Sequence, residues 1–264
     1  MSDPELLEEA EFLTRSEHRS RVLQHLAREP ADRTTLQEET GATRVTLGRI
    51  LSAFEDRNWI RRRENTYHIT PLGETVVEGL ELFLHSVAAG QLFKDVIDYL
   101  PVAEWELPLR ALHDATIMRP TAEEPAKYLR SYLPVASRAE HIVGCWSVLD
   151  PDLWARHQEW VVEGELSVTF VFDRSILEPI RSRPPYRYVT EMAGSPNGSV
   201  YEYDGNVPTT LLIADETVFI LLVGADGYQG VVVSSDQRVL AWARTTFESY
   251  LEQAEELDPD VLDP

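Results

Sequence analysis

The sequence predicts an α+β chain in three parts: a helical module with a small ribbon, a long helix, and a larger domain of mixed α/β sheet. Three observations carry that prediction. Up to residue 56, apolar side chains recur every three or four positions, the spacing of helices. From Pro71 to Tyr99 a helical pattern runs to the boundary at Leu100-Pro101. Beyond Pro101, short apolar runs alternate with amphipathic stretches, the texture of strands and covering helices. The boundaries this implies are 1–75, 76–100 and 101–264. A length of 264 residues suits one large or two ordinary domains, and 43% hydrophobic with 26% charged residues is a globular composition.

The N-terminal elements follow in order. Residues 5–14 and 16–28 read as helices, the second placing Val22, Leu23 and Leu26 on one face before Pro30 stops it. Asp32 or Thr34 can cap a short helix, TTLQEET, that ends at Gly41. Thr43 precedes RVTLGRILSAFEDR, where Leu47, Ile50, Leu51 and Phe54 form the inward stripe. Two β-rich runs, 59–63 and 66–69, follow with Glu64-Asn65 as the turn between them. Pro71 opens the long helix, with Leu72, Val76, Leu80, Phe83, Leu84, Val87, Phe93, Val96 and Ile97 expected inward and Gly90 able to kink it. That apolar set is broader than one small domain needs, which points to packing against a second copy; a helix that caps its own domain's core is the other reading.

Charge is distributed unevenly. The whole chain is at −21, yet the segment 15–70 holds eleven arginines against eight acids. An acidic protein is a poor polyanion ligand, so a basic island within it is informative. Lysine occurs only at Lys94 and Lys127, against 22 arginines. An acidic, lysine-poor composition resembles proteins of extreme halophiles, whose surface self-repulsion is screened in molar salt; an ordinary acidic protein is the other reading.

Helix, short helix, glycine turn, third helix and ribbon is the order of a winged helix-turn-helix. The stretch DRTTLQEETGATRVTLGRILSAFEDRNWIRRRENTYHITPLG resembles the winged-helix transcription regulators of archaea, YHITPLG resembling their second wing strand and following helix. Independently of the resemblance, the third helix leaves Thr43, Arg44, Val45, Thr46 and Arg49 outward. Arg44 and Arg49 can bond guanine edges or phosphate, Val45 can touch a thymine methyl, and Thr43 can cap the helix and bond phosphate. Arg33 and Thr35 start the preceding helix, and Gly48 permits close backbone approach. In the wing, Arg61 and Arg63 share one face and Arg62 takes the other. These ten residues, Gly48 apart, form the expected DNA surface. A winged-helix protein-interaction module without specific DNA contact is the alternative.

The C-terminal expectations are strands at 115–119, 140–149, 166–172, 186–189 (YRYV), 199–203, 209–214, 217–223 and 230–234. Helices are expected at 123–133, 151–162 and 175–181, with a last one at 236–257 and a short mobile tail from Asp258. Asp226-Gly227 fits a hairpin turn. The order of elements and the close TTLLIADETVFILLVGADGYQGVVVSSDQRVLAWARTTFESYLEQ resemble the output domain of methanogen and haloarchaeal regulators named after a filamentation regulator. That fold is similar to a phospholipase-D-like domain, but the His-x-Lys motif is missing, since neither lysine lies two residues after a histidine. The histidines at 18, 25, 68, 85, 113, 141 and 157 form no HExxH, and no GxSxG or phosphate loop occurs. The chain is therefore not expected to be an enzyme, and no cofactor or metal is expected. His141 and Cys145 share a strand face, with a buried structural cysteine favoured over ligation. Strand ends are where a ligand would sit, making Trp146, Ser147, Asp173 and Arg174 the candidate effector residues; the competing assignment is core for Trp146, helix cap for Asp173 and solvent for Arg174. The first residues are acidic and no uninterrupted apolar run reaches 18, so a cytoplasmic protein without signal peptide or membrane span is expected. Expected partners are double-stranded DNA, a second copy of the chain and a small-molecule effector.

Overall fold

The computed structural model describes residues 3–121, 123–124, 127–224 and 227–258, and the statements below concern these. The chain divides into two compact units, Met1–Leu84 and His85–Pro264, the division falling inside the long helix.

The first unit runs α1 (Asp3–Thr14), α2 (Glu17–Arg28), β1 (Ala31–Asp32), α3 (Arg33–Thr40), α4 (Arg44–Asp56), β2 (Ile60–Arg63), β3 (Thr66–Ile69) and the start of α5 (Pro71–Phe93). Local chemistry sets its boundaries. Asp32 caps α3 by accepting from the Thr34 and Thr35 amides, and Gly41 closes it with φ +66°. Thr43 caps α4 through the Thr46 amide. Val22, Leu23, Leu26, Leu36, Leu47, Leu51 and Phe54 meet in one core. β1 is an addition to the predicted ribbon: it pairs antiparallel with β3, giving the order β1-β3-β2.

α5 departs from expectation in two respects. It ends at Phe93, and Ile97–Tyr99 is a 3-10 turn, because Phe93, Val96 and Leu100 turn inward together in the second unit. Of the residues expected inward, Leu72, Phe83, Leu84 and Val87 are exposed, Phe83 at 57% and Val87 at 46%. The helix has more apolar surface than its own core can cover. Over its most apolar 18-residue window its mean hydropathy is 1.2 and only 22% of that window is buried. By length and composition it could cross a bilayer, which a search for uninterrupted apolar runs does not detect. Glu74, Glu78 and Glu81 nevertheless fall at helical spacing along one side.

The second unit continues with a 3-10 turn at Leu109–Leu112, β4 (Thr116–Met118), α6 (Lys127–Ala136), β5 (His141–Trp146), α7 (Pro151–Glu163), β6 (Ser167–Asp173) and α8 (Arg174–Leu177). Then come a 3-10 turn at Glu178–Ile180, α9 (Tyr186–Ala193), β7 (Gly198–Tyr203), β8 (Leu211–Ala214), β9 (Thr217–Gly224), β10 (Gly227–Ser234), α10 (Gln237–Leu251) and β11 (Glu255–Glu256). One sheet has the order β11-β7-β6-β5-β8-β9-β10-β4. β5, β6 and β7 are parallel, and every other pairing is antiparallel. Period-two alternation sends Ile142, Trp146, Phe170 and Phe172 to one face, packed with α6, α7 and α9. Cys145, Val171, Ile213 and Ile220 go to the other, which α10 covers.

Two C-terminal assignments are corrected. YRYV is the start of helix α9, not a strand. Pro184-Pro185 lead into it, and Tyr186, Val189 and Met192 bury one face at a spacing of three, a pattern that extends past the four β-rich residues. The last helix stops at Leu251 rather than 257. The chain then turns at Gln253 and Ala254, and Glu255–Glu256 add an antiparallel strand to β7. The helix expected from Glu123 begins at Lys127, with Pro125 and Ala126 outside the described residues; so are Asp226 of the expected turn and the tail beyond Asp258.

Candidate nucleic-acid interface

The amino end of α4 presents Thr43, Arg44, Val45 and Arg49 to solvent, with Val45 66% exposed and Thr46 half-buried. The Thr43 hydroxyl accepts from the Thr46 amide at 3.2 Å and bonds the Thr46 hydroxyl at 2.9 Å, which fixes the first turn. Gly48 has open space where a Cβ would sit. Thr35 is exposed, its amide and hydroxyl both donating to Asp32 Oδ1. Those bonds, the Thr35 amide and hydroxyl foremost, hold the Asp32 carboxyl below its ordinary range.

β2 carries the wing arginines, all three exposed. The register sets Arg61 opposite His68, Arg62 opposite Tyr67 and Arg63 opposite Thr66. Arg62 therefore lies on the side of the buried Tyr67, and Arg61 and Arg63 on the other. Arg33 Nε donates to the Tyr67 hydroxyl at 3.0 Å, and Arg62 Nε to the Glu64 carbonyl at 3.0 Å. Both guanidinium carbons stand 5.9 Å from the Tyr67 ring centroid. Between them opens a cleft of about 190 Å³ also lined by Thr34 and Asn65. Two cations and two uncharged polar side chains around a phenol match a phosphate group in charge and bonding capacity, with the capped Asp32 at the rim. Sequence reading missed Tyr67, Thr34 and Asn65. The signal was available: a two-residue turn at Glu64-Asn65 fixes the register that sets Arg62 opposite Tyr67.

Among the described residues, none of Arg33, Arg44, Arg49, Arg61, Arg62 and Arg63 forms an ion pair with a carboxylate. Several other arginines of the unit are engaged. Arg57 holds Glu9 through Nε at 2.6 Å and lies over Phe12, and Arg21 pairs with Glu17. Arg19 donates to the Phe12 carbonyl. The guanidinium groups of α3, α4 and the wing are thus all without a carboxylate partner among the described residues.

Residues 7–91 match the family model of the HVO_A0261 N-terminal domain, and residues 125–253 match that of the middle domain of the methanogenesis regulatory protein FilR1. The chain thus carries an HVO_A0261-type N-terminal domain followed by a FilR1-type middle domain, an arrangement that fits an archaeal transcription regulator. Among solved structures it is similar to TrmBL2, an archaeal chromatin protein, at 18% identity over 96% of this chain and 98% of that one, with a TM-score of 0.41. The chain is also similar to NucT from Helicobacter pylori, at 17% identity over 54% of this chain and 98% of that one, TM-score 0.44. It is also similar to Nuc from Salmonella typhimurium, a phospholipase D family member, at 14% identity, with the same coverage and TM-score. No curated protein matches the chain.

In the FilR1-type domain the four candidate effector residues have separate engagements. Trp146 is fully buried against Trp154, Phe170 and Phe172. The Ser147 amide and hydroxyl bond the hydroxyl of buried Thr210 at 3.0 and 3.1 Å. Asp173 caps α8 through the Ser175 amide and accepts from the Val207 amide, using both oxygens. Arg174 bonds Glu202 at 2.5 Å and Asp204 at 2.6 Å, and Arg181 holds the other Glu202 oxygen at 2.6 Å. The strand ends therefore carry core, cap and ion network, and the four side chains do not converge. His141 and Cys145 lie four residues apart, about 13 Å along a strand, which is too far for one metal. Cys145 is buried, and burial pushes its thiol up.

Proposed function

We propose that the chain is a sequence-specific DNA-binding transcription regulator of the cytoplasm, a homodimer without enzymatic activity, whose C-terminal domain responds to a small molecule. The observation that carries this is the surface of α3, α4 and the wing: Arg33, Arg44, Arg49, Arg61, Arg62 and Arg63 without carboxylate partners on one basic segment of a chain at −21. Arg44, Val45 and Arg49 supply base-edge contacts from the helix; Arg33 and Arg62 around Tyr67 supply a phosphate clamp; Arg61 and Arg63 follow the backbone or the minor groove. Molar salt weakens counterion release, so base contacts and duplex shape then carry more of the affinity.

The apolar seam of α5 supports the dimer. Leu72, Val76, Gly79, Phe83, Val87 and Gly90 succeed each other at spacings of three and four, so they form one seam. Beside that seam, Leu7, Ala10, Leu13, Leu80 and Phe83 line an apolar groove of about 490 Å³ within the first unit. A second copy of α5 covers such a seam, and two-fold symmetry suits paired half-sites on DNA.

The test is electrophoretic mobility shift against genomic fragments in high KCl. Discrete fragments should shift with the wild type and not with Arg44→Ala/Arg49→Ala, while both proteins give the same circular dichroism. Equal shifts by both would transfer the reading to a protein-interaction module. Light scattering should give twice the chain mass for the wild type and one chain mass for Phe83→Glu/Val87→Glu; uptake on neutral vesicles instead of self-association would overturn the dimer.

A further inference from the structure

A cleft of about 580 Å³ opens within the second unit, outside the carboxyl end of β5. Its size is that of a small-molecule site, roughly 300–1,000 Å³. The Glu104–Leu107 loop, the approach to β8 and the outer face of α10 enclose it. Its walls are aromatic. The Trp105 and Trp242 rings stand 5.1 Å apart at 52°, with Tyr250 further along α10. The floor is apolar: Leu107, Leu211 and the Cys145 thiol, all buried.

The charges in this cleft have one sign. Glu104 and Glu106 stand at its rim, both exposed, and neither forms an ion pair among the described residues. No lysine, arginine or histidine lines the cleft. Burial first, then the electrostatic influence of Cys145, Tyr203 and Glu104, pushes the Tyr250 phenol up to about 12. The phenol and the buried thiol therefore stay neutral, leaving the two carboxylates as the charges a ligand meets.

We propose that this cleft binds a small organic cation, an alkyl- or arylalkylammonium compound, its apolar body against Trp105 and Trp242 and its cationic head toward Glu104 and Glu106. The inference rests on the reading of this domain as a sensor and names its site and ligand class. Indole faces attract cations through the ring quadrupole. The carboxylates add attraction for a cation and repel an anion; a neutral isostere keeps only the burial of its body. Cation–π contact acts at close range, within reach even where molar salt shortens the Debye length to about 3 Å.

The experiment is a titration of the full-length protein with choline and with phenethylammonium chloride, followed by tryptophan fluorescence and calorimetry at matched ionic strength. 3,3-Dimethylbutan-1-ol is the neutral isostere of choline, and 3,3-dimethylbutanoate an anionic counterpart. Saturable binding of at least one cation is expected, with choline at least tenfold tighter than the alcohol if choline is the one bound, and no binding of the anion. Trp242→Leu and Glu104→Gln/Glu106→Gln should each weaken cation binding at least fivefold with unchanged circular dichroism. Failure of both cations to saturate, equal binding of choline and the alcohol, or insensitivity to both variants overturns the proposal. A mobility shift on the same preparation separates the two readings. DNA binding without cation binding removes the cleft proposal alone, and cation binding without DNA binding removes the regulator alone.

Discussion

In the N-terminal unit Arg44, Arg49, Arg61 and Arg63 stand in solvent without a carboxylate partner, whereas in the C-terminal unit Glu202 gathers Arg174 and Arg181 at 2.5 and 2.6 Å. Asp204 and Glu255 complete the second arrangement. The residue type is the same; its surroundings assign opposite roles. Arg174 is a structural cation: its guanidinium is held more firmly protonated, first by the hydrogen bond to Glu202. Glu202 belongs to β7 and Glu255 to the edge strand β11 paired with it. The α4 and wing arginines hold no such partner in a chain with 45 acidic residues. An unpaired guanidinium retains its hydrogen-bonding capacity for an outside anion, and a paired one has spent it.

The largest expected effect separates the units by acid. His157 is fully buried against Tyr132, Trp146 and Phe170, and burial lowers its pKa to about 3. An unfolded histidine titrates near 6.5, so between there and about 3 the unfolded state binds the proton that the folded state refuses. Stability from the neutral ring is complete above pH 6.5 and falls as pH drops, by up to about 1.4 kcal/mol per unit. Urea unfolding of the sheet domain at pH 7 and pH 5 should show that loss, and His157→Gln should flatten its slope. An unchanged slope would sink the assignment.

Next in size, Arg44→Ala/Arg49→Ala should weaken specific DNA binding about 100-fold, at roughly 1–3 kcal/mol for each bidentate base contact. Its melting temperature should stay within a degree or so, because neither side chain has a partner to lose. Glu202→Gln should do the reverse, lowering Tm by a few degrees through two weakened buried-side pairs while leaving DNA affinity unchanged. If instead the N-terminal variant melts early and the Glu202 variant loses DNA, the division of labour is wrong. The smallest effect belongs to Arg62→Ala: a severalfold weakening that is uniform across DNA sequences, with the salt slope reduced by about 0.9, the signature of one phosphate contact. A sequence-dependent loss would move Arg62 from clamp to base reader.

The sequence by itself determined the N-terminal unit almost to its boundaries, because the determinants are local. Asp32, Gly41 and Thr43 act on backbone groups within four residues, and the Glu64-Asn65 turn fixes the wing register. It also determined which side chains of α4 face outward, since the buried stripe of Leu47, Ile50, Leu51 and Phe54 fixes the rest by periodicity. The engagement of Arg174 came from long-range packing, because Glu202 lies on β7, which parallel pairing brings alongside β6, the strand that ends just before Arg174. The tertiary structure alone turned YRYV into a helix, where burial of Met192 outweighed β-propensity, and made Glu255–Glu256 a strand on the edge of β7. The cleft is the plainest case: Trp105, Cys145, Leu211 and Trp242 become neighbours only when a loop, two strands and the last helix pack. Helix caps and amphipathic stripes are encoded over a few residues, whereas the partner of a charge and the wall of a cavity are chosen among residues far apart in the chain.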